Sequence, residues 1–335
     1  MILTGADIVE WLEESDPEKV ESLFRSADRE RGRLVGDEIH VRGIVEFSNY
    51  CKRNCLYCGL RKSNERLARC RMGLEEIFEA AREAAAMDFK TIVLQSGEDD
   101  AYSADDLCRL VARIKKELNL SITLAVGEKS FDDYRKMKEA GADRYLLKFE
   151  TSSPSLFRAL KPDSSYAERF RCLEWLRESG FQVGSGNMIG LPGQTSAILA
   201  EDILTFRKMD LDMIGVGPFI PHPETPLAHT PGGTVLATLK TVAITRLAAG
   251  SAHIPATTAL GTIDPEGRQK ALRCGANVVM PNVTPLRFRK QYEIYPNKLS
   301  SNESPAASRD RVASLIASVG RSIASDFGHS LKIRT

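Results

Sequence analysis

Residues 41–61 read VRGIVEFSNYCKRNCLYCGLR. The first seven are rich in β-branched and apolar side chains and predict a short strand over 41–47. Three cysteines, Cys51, Cys55 and Cys58, arrive as soon as that strand ends. A strand that runs straight into a chemically active loop is the βα unit of a parallel barrel, whose active residues gather at the C-terminal strand ends. Outward from this point the rhythm repeats. Short apolar runs follow at 91–95, 122–126, 144–149, 182–189, 213–219, 254–260 and 277–280. Segments of helical period lie between them at 74–87, 105–118, 131–140, 167–179 and 198–209. Ser103 and Asp132 signal helix starts, and Gly141 and Gly180 signal helix ends. Alternating strands and helices of this number predict an α/β fold, a complete (β/α)8 TIM-type barrel.

The flanks read as extensions of one barrel domain over 1–335. Residues 1–35 form an N-terminal extension, with one or two helices over about 5–30, and 36–295 form the barrel. Residues 296–335 form a tail, with a polar loop at 300–305 and a final helix at 310–324. Lys and Arg total 46 against 45 for Asp and Glu, so no charge excess points to nucleic acid or an anionic membrane. No run approaches the roughly 18 apolar residues of a membrane span. No secretory leader is visible at the start, and the expected location is cytoplasmic. Seven cysteines in such a chain point to metal or catalysis before disulfides.

Cys51, Cys55 and Cys58 are spaced C-x3-C-x2-C. A 4Fe–4S cluster is normally held by Cys thiolates at every iron. Three thiolates leave one iron open, and an open iron can chelate the amino and carboxylate groups of S-adenosylmethionine. One electron from the cluster then cleaves the sulfonium to methionine and a 5′-deoxyadenosyl radical. Three cysteines without metal, or an incomplete zinc site, is the bland alternative, and His40 is the only histidine nearby. Tyr57 is expected beside the adenine or in simple packing. Cys70, Cys108, Cys172 and Cys274 read as structural.

The ends of the other strands supply polar groups for such a cofactor. Gln95-Ser96-Gly97-Glu98 closes the second strand; Gly97 permits close backbone approach and Glu98 can accept from an ammonium. Thr123 and Glu128 flank the end of the third strand, and Glu150 ends the fourth. Arg169 can pair a carboxylate through two N–H groups, or sit on the surface. The loop Gly190-Leu191-Pro192-Gly193-Gln194-Thr195 is tight enough to lay backbone against adenosine, or is a plain turn. Gly184, Ser185, Gly186, Thr257 and Thr258 are small where barrels carry large aliphatics, which predicts an internal chamber with Arg42 at its floor, or else these residues face the helices and the barrel is filled normally.

Together these stretches resemble a known family. EFSNYCKRNCLYCGLR, TIVLQSGED, GADRYLLKFET, MIGLPGQT, GPFIPHPETPL, IPATTALGT and RCGANVVMPN are similar to the HydE-type maturases of [FeFe]-hydrogenase, within the biotin synthase-like radical SAM group. The resemblance implies a 4Fe–4S cluster and S-adenosylmethionine, with Glu98, Glu150 and Arg169 binding the cofactor. It implies a cavity lined by Thr257, Thr258, Met280, Tyr292 and Tyr295, with Arg42 as an anion-binding group. The implied substrate is a small iron–carbonyl–cyanide–cysteine complex, with a ferredoxin or flavodoxin as reductant and other maturation proteins as partners. A methylornithine synthase-like mutase or biotin synthase-like enzyme on a small amino-acid-like substrate is the alternative. Two departures stand out. Residues 298–308 carry no cysteine for a second cluster, and Lys148-Phe149 precedes Glu150 where the family pattern has Arg-His.

Overall fold

The computed structural model describes residues 3–299 and 302–332. Two helices lead in, α1 (Gly5–Glu13) and α2 (Pro17–Val35). The repeat follows as β1 (His40–Ser48), α3 (Leu74–Ala86), β2 (Thr91–Ser96), α4 (Ala104–Leu118), β3 (Ser121–Ala125) and α5 (Phe131–Glu139). It continues through β4 (Arg144–Leu146), α6 (Pro154–Leu160), α7 (Tyr166–Glu178), β5 (Gln182–Ile189), α8 (Ser196–Lys208), β6 (Met213–Pro218) and α9 (Val235–Ala249). Shorter elements complete it: α10 (Thr258–Ile263), α11 (Gly267–Leu272), β7 (Val278–Val279), α12 (Leu286–Arg289) and α13 (Pro305–Ser318).

Local chemistry explains most boundaries. Ser103 caps α4 by accepting from the Asp106 amide, while the Asp106 carboxylate accepts from the Ser103 amide, both at 3.1 Å. Such a box contributes about 1 kcal/mol. Helix α5 is capped by Ser130, and Asp132, expected to start it, sits in its first turn instead. Gly141 and Gly180 follow α5 and α7 at φ +108° and +85°, a backbone that stops a helix and suits glycine.

The strands form one parallel sheet in the order β6-β5-β4-β3-β2-β1-β7. Sequential neighbours with helical crossovers bury both sheet faces, which is why the strands read as nearly continuous apolar runs. The expected strand over 254–260 is not regular. Residues near 254 make isolated parallel bridges to both sheet edges, Met213 to His253 and Pro255 to Val278. Pro255 has no N–H to extend the ladder, and the Thr257 hydroxyl caps α10 by accepting from the Leu260 amide at 3.4 Å. The fourth strand is likewise shorter than 144–149. Glu150 holds φ +68° and turns the chain out of the ladder.

The tail also departs from expectation. Helix α13 ends at Ser318, and Gly320 at φ +72° breaks the run expected to continue to 324. The chain instead returns to the start of β1, where the Ala324 amide donates to the Ile39 carbonyl at 3.0 Å. Carbonyls of Phe327 and Gly328 then accept from Arg144 (2.6 Å) and Arg42 (3.1 Å), so this segment crosses the N-terminal strand ends. Part of the predicted polar loop, Ser300 and Ser301, lies outside the described residues. Cys172 and Cys274 are buried, and Cys70 and Cys108 half-buried. Among the described residues no helix is long and apolar enough to cross a membrane.

Candidate active site

The cysteine loop begins with an irregularity. Glu46 pairs with Gln95 and Ser48 with Ser96, so Phe47 is an extra residue in β1. A bulge of this kind re-aims a strand end. The loop then packs on Gly97, whose place would not tolerate a side chain. A Cβ there would lie 2.1 Å from the Tyr50 carbonyl oxygen and 2.9 Å from the Cys51 Cβ. The close approach that Gly97 permits is therefore to the cysteine loop itself. Backbone bonds fix the rest: the Lys52 amide to the Glu98 carbonyl, the Leu56 amide to the Leu160 carbonyl, and the Gly59 amide to the Ile294 carbonyl, all 2.9–3.0 Å. Arg69 closes the far side, donating to the carbonyls of Asn49 (2.6 Å) and Arg61 (2.6 Å).

Cys51, Cys55 and Cys58 all reach the top of one cavity. Burial pushes the Cys51 and Cys58 thiols up, and at Cys58 the neighbouring Cys55 and Cys51 add to it. Thiolates so placed need an adjacent cationic centre to exist. Among the described residues no three His, Cys, Asp or Glu side chains are arranged to hold a single metal ion. A cubane has a wider footprint than an ion, and its thiolate ligands need not converge on one point. Three inward thiols on a pinned loop, with no fourth, fit a cluster with one open iron.

Beside the cysteines lies a closed ring of charges. Arg53 Nε donates to Glu98 Oε2 at 2.7 Å, and its Nη2 pairs with Glu128 Oε2. Arg169 Nε meets Glu128 Oε1 at 2.7 Å, and its Nη2 meets Glu98 Oε1 at 3.3 Å. All four side chains are mostly buried. Burial alone would raise the Glu98 carboxyl, but Arg169 and then Arg53 outweigh it and hold it below its ordinary value. Gly127, at φ +81°, leaves the space: a Cβ there would sit 2.0 Å from Glu98 Cγ. Glu98, Glu128 and Arg169 were legible as polar groups of this region, but Glu128, expected at the cofactor, pairs with both arginines and does not line the cavity. Arg53, inside the cysteine motif, and Gly127 were not legible, since a loop arginine carries no signal until its partners are known.

Glu150 faces the same mouth. Its amide donates to the Gly186 carbonyl at 3.0 Å, and Lys148 Nζ lies 2.9 Å from its carboxylate. Lys148 is thus a cation of the site that the sequence showed only as a departure. Behind this loop, Asp202 of α8 accepts from the Ser152 amide (2.5 Å), the Ser152 hydroxyl (2.6 Å) and Asn187 Nδ2 (3.0 Å). Tyr57 lines the cavity and packs against an apolar cluster of Leu156, Leu160, Leu191 and Phe219. Leu191 itself is buried there and does not line the cavity. A Cβ on Gly190 would meet the Gly233 Cα at 2.4 Å, so this turn packs on neighbouring backbone.

The cavity is about 430 Å3 and runs from the cysteines to Arg42 and His253 near the N-terminal strand ends. Gln95, Ser96, Gly97, Glu98, Thr123 and Arg169 line its upper part together with Glu150. Thr257, Thr258, Met280, Tyr292 and Tyr295 also line it, and Tyr292 accepts from Gln95 Nε2 at 3.2 Å. The space is not made by Gly184, Ser185 and Gly186, which do not line it. A Cβ on Gly186 would collide with the Gly215 carbonyl at 2.1 Å, and one on Gly184 with Met213 at 2.7 Å, so these residues let β5 pack on β6. Gly215 and Gly217 of β6 face the cavity instead. Arg42 is buried and donates to the Met213 sulfur (2.9 Å) and Gly328 carbonyl (3.1 Å), while its Nε has no partner. Burial and the neighbouring Arg144 both work against its charge. Thr123 Oγ1 is also buried without a partner. At the opposite end Glu46 pairs with Lys298 and accepts from Asn282 at 2.7 Å.

The radical SAM superfamily pattern matches residues 45–205. The HydE subunit of the [FeFe]-hydrogenase maturase from Thermotoga maritima is 51% identical over 308 residues, 92% of this chain and 88% of that one. The chain belongs to the HydE family of radical SAM enzymes. The HydE family is also related to the 3-methylornithine synthase of Methanosarcina acetivorans, which is 30% identical here over 83% of this chain and 79% of that one. In architecture this HydE-family chain matches the crystal structure of methylornithine synthase (PylB), with TM-score 0.85, 25% identity, and coverage of 97% and 95%. As a HydE-family radical SAM enzyme it uses a 4Fe–4S cluster and S-adenosylmethionine, which it cleaves reductively.

Proposed function

We propose that this enzyme helps assemble the dinuclear iron site of [FeFe]-hydrogenase, acting on a small iron–carbonyl–cyanide–cysteine complex held in the chamber. The observation that carries the reading is the 51% identity with the Thermotoga maturase subunit over nearly all of both chains. A buried Arg42 with no acidic partner among the described residues suits a substrate that brings its own negative charge. The barrel is read as closed, with residues 253–256 as its eighth, irregular member, and the chain as one domain. The expected setting is the cytoplasm, with a low-potential ferredoxin or flavodoxin as electron donor.

Within this reading Cys51, Cys55 and Cys58 hold the cluster. When bound there, the cluster would supply the electron for reductive cleavage of the cofactor's sulfonium. Glu98 accepts the ammonium of the cofactor and Arg169 pairs its carboxylate. Glu150 gives the ammonium a further acceptor, and Gln95, Ser96 and Thr123 hold the nucleoside end, with Tyr57 against the adenine. Thr257, Thr258, Met280, Tyr292 and Tyr295 exclude water and shape the space below. The test is cell-free maturation of apo-hydrogenase with the other maturation proteins, with and without this chain. Hydrogen evolution that depends on the chain supports the proposal. Its absence, with release of 3-methylornithine by the same preparation, would favour the mutase reading suggested by the PylB likeness.

A further inference from the structure

We propose that Arg53 is a positioning residue that couples the cluster loop to cofactor recognition. It rests on the radical SAM reading above. Arg53 lies between the first two cluster cysteines, yet its guanidinium points away from the loop and bridges Glu98 and Glu128. Its Nη1 also donates to the Asp163 carbonyl at 2.9 Å, so all three arms of the group are committed. The ring of Arg53, Glu98, Arg169 and Glu128 carries two positive and two negative charges and is neutral as a whole.

That neutrality has a chemical use. The amino-acid end of the cofactor is a zwitterion, with one ammonium and one carboxylate. It can be admitted between Glu98 and Arg169 with no change in total charge, because each of its charges replaces a like charge. The Glu98–Arg169 contact is also the longest in the ring, at 3.3 Å, and is the edge that opens. Arg53 keeps Glu98 oriented and balances Glu128 while that edge is in use. Without Arg53, two buried carboxylates would face a single arginine, and the surplus charge would rotate or protonate one of them. Lys cannot replace it fully, since an ammonium lacks the planar fork that spans two carboxylates.

The test uses full-length, anaerobically reconstituted protein and S-adenosylmethionine itself. Arg53→Met is expected to retain its iron and sulfide and to bind the cofactor roughly 10- to 100-fold more weakly. Its cluster midpoint potential should move to more negative values, because a positive charge near the cluster has gone. Arg53→Met/Glu128→Gln restores charge balance and should regain much of the affinity and reverse the potential shift. Arg53→Lys should fall between wild type and Arg53→Met. Full cofactor affinity in iron-replete Arg53→Met overturns the proposal. So does loss of iron that Glu128→Gln does not repair, which would make Arg53 a loop anchor only. If wild-type protein fails to hold a cluster or bind the cofactor, the radical SAM reading falls instead, and the two failures are distinct.

Discussion

Glu150 is held at φ +68°, a conformation that costs a non-glycine residue about 1 kcal/mol or more. Bonds on both sides maintain it, from its amide to Gly186 and from the Met188 amide to its carbonyl at 3.1 Å. Such enforced geometry is expected where a side chain must be aimed. Glu150→Ala should therefore keep the fold and weaken cofactor binding by about 2 kcal/mol, roughly 30-fold, as measured by anaerobic equilibrium dialysis. The cysteines make a sharper case. Wild type should carry about four irons and four sulfides per chain after reconstitution, and Cys51→Ala, Cys55→Ala or Cys58→Ala should each lose the cluster. Iron analysis and the visible absorption band check this; a full cluster surviving two of the three changes contradicts it. At this scale the cysteines, Glu98 and Glu150 were legible because each follows a strand end or completes a motif, and Arg169, within α7, through the family resemblance. Arg53 and Lys148 were not, since their meaning lies in partners 45 and 75 residues away for Arg53 and across a turn for Lys148.

Elements place these residues through their ends and loops. Gly97→Ala would put a methyl group against the Tyr50 carbonyl, which is backbone and cannot move aside alone. The expected cost is about 1–3 kcal/mol together with lower iron content after reconstitution; normal melting and full iron would refute this packing. Helix α8 acts through Asp202, whose carboxyl is pushed up to about 6 by burial, against the bonds from Ser152 and Asn187 that lower it. The folded value exceeds the ordinary 3.8, so the folded state binds the proton more tightly than the unfolded one. Stability from this group is complete below about pH 4 and declines as pH rises to about 6, by a total on the order of 3 kcal/mol. Asp202→Asn should flatten that part of the pH–stability curve, seen by urea unfolding at several pH values; an unchanged slope would contradict the assignment. The unpartnered Asn187 Oδ1 gives the new amide a place to donate. The run at 254–260 shows why strand legibility has limits. Apolar composition marks it as buried, but Pro255 and the Thr257 cap determine that it becomes two bridges and a helix start.

For the whole molecule, the central fact is that the space enclosed by the curled parallel sheet is not filled. A barrel core is normally packed by layers of branched side chains, and here an open space of about 430 Å3 extends from Cys51 to Arg42. The sequence announced small residues but could not assign their faces, because both sides of a parallel strand are buried and equally apolar. Hence Gly184 and Gly186 turned out to serve strand packing, and Gly215 and Gly217 the chamber. Gly215 offers a direct test of what the space is for. A Cβ there meets nothing nearer than 3.8 Å, and its backbone is not in the left-handed region. Gly215→Leu should therefore fold, with a stability change within about 1 kcal/mol, and project its branched end into the chamber. The cysteine loop and the Arg53–Glu98–Arg169–Glu128 ring follow β1 to β3 and α7, across the sheet from β6, and the one site group beside Gly215 is the flexible Lys148 stem, 3.9 Å from such a Cβ and free to swing aside. Cofactor binding and slow substrate-free formation of 5′-deoxyadenosine should persist, read by chromatography of the quenched reaction. Hydrogenase maturation should fall by at least about tenfold, because a group the size of leucine removes room the substrate requires. Loss of both activities together would place the chamber in the service of the cofactor, and retention of both would mean the reaction takes place above β6 without using the space beneath.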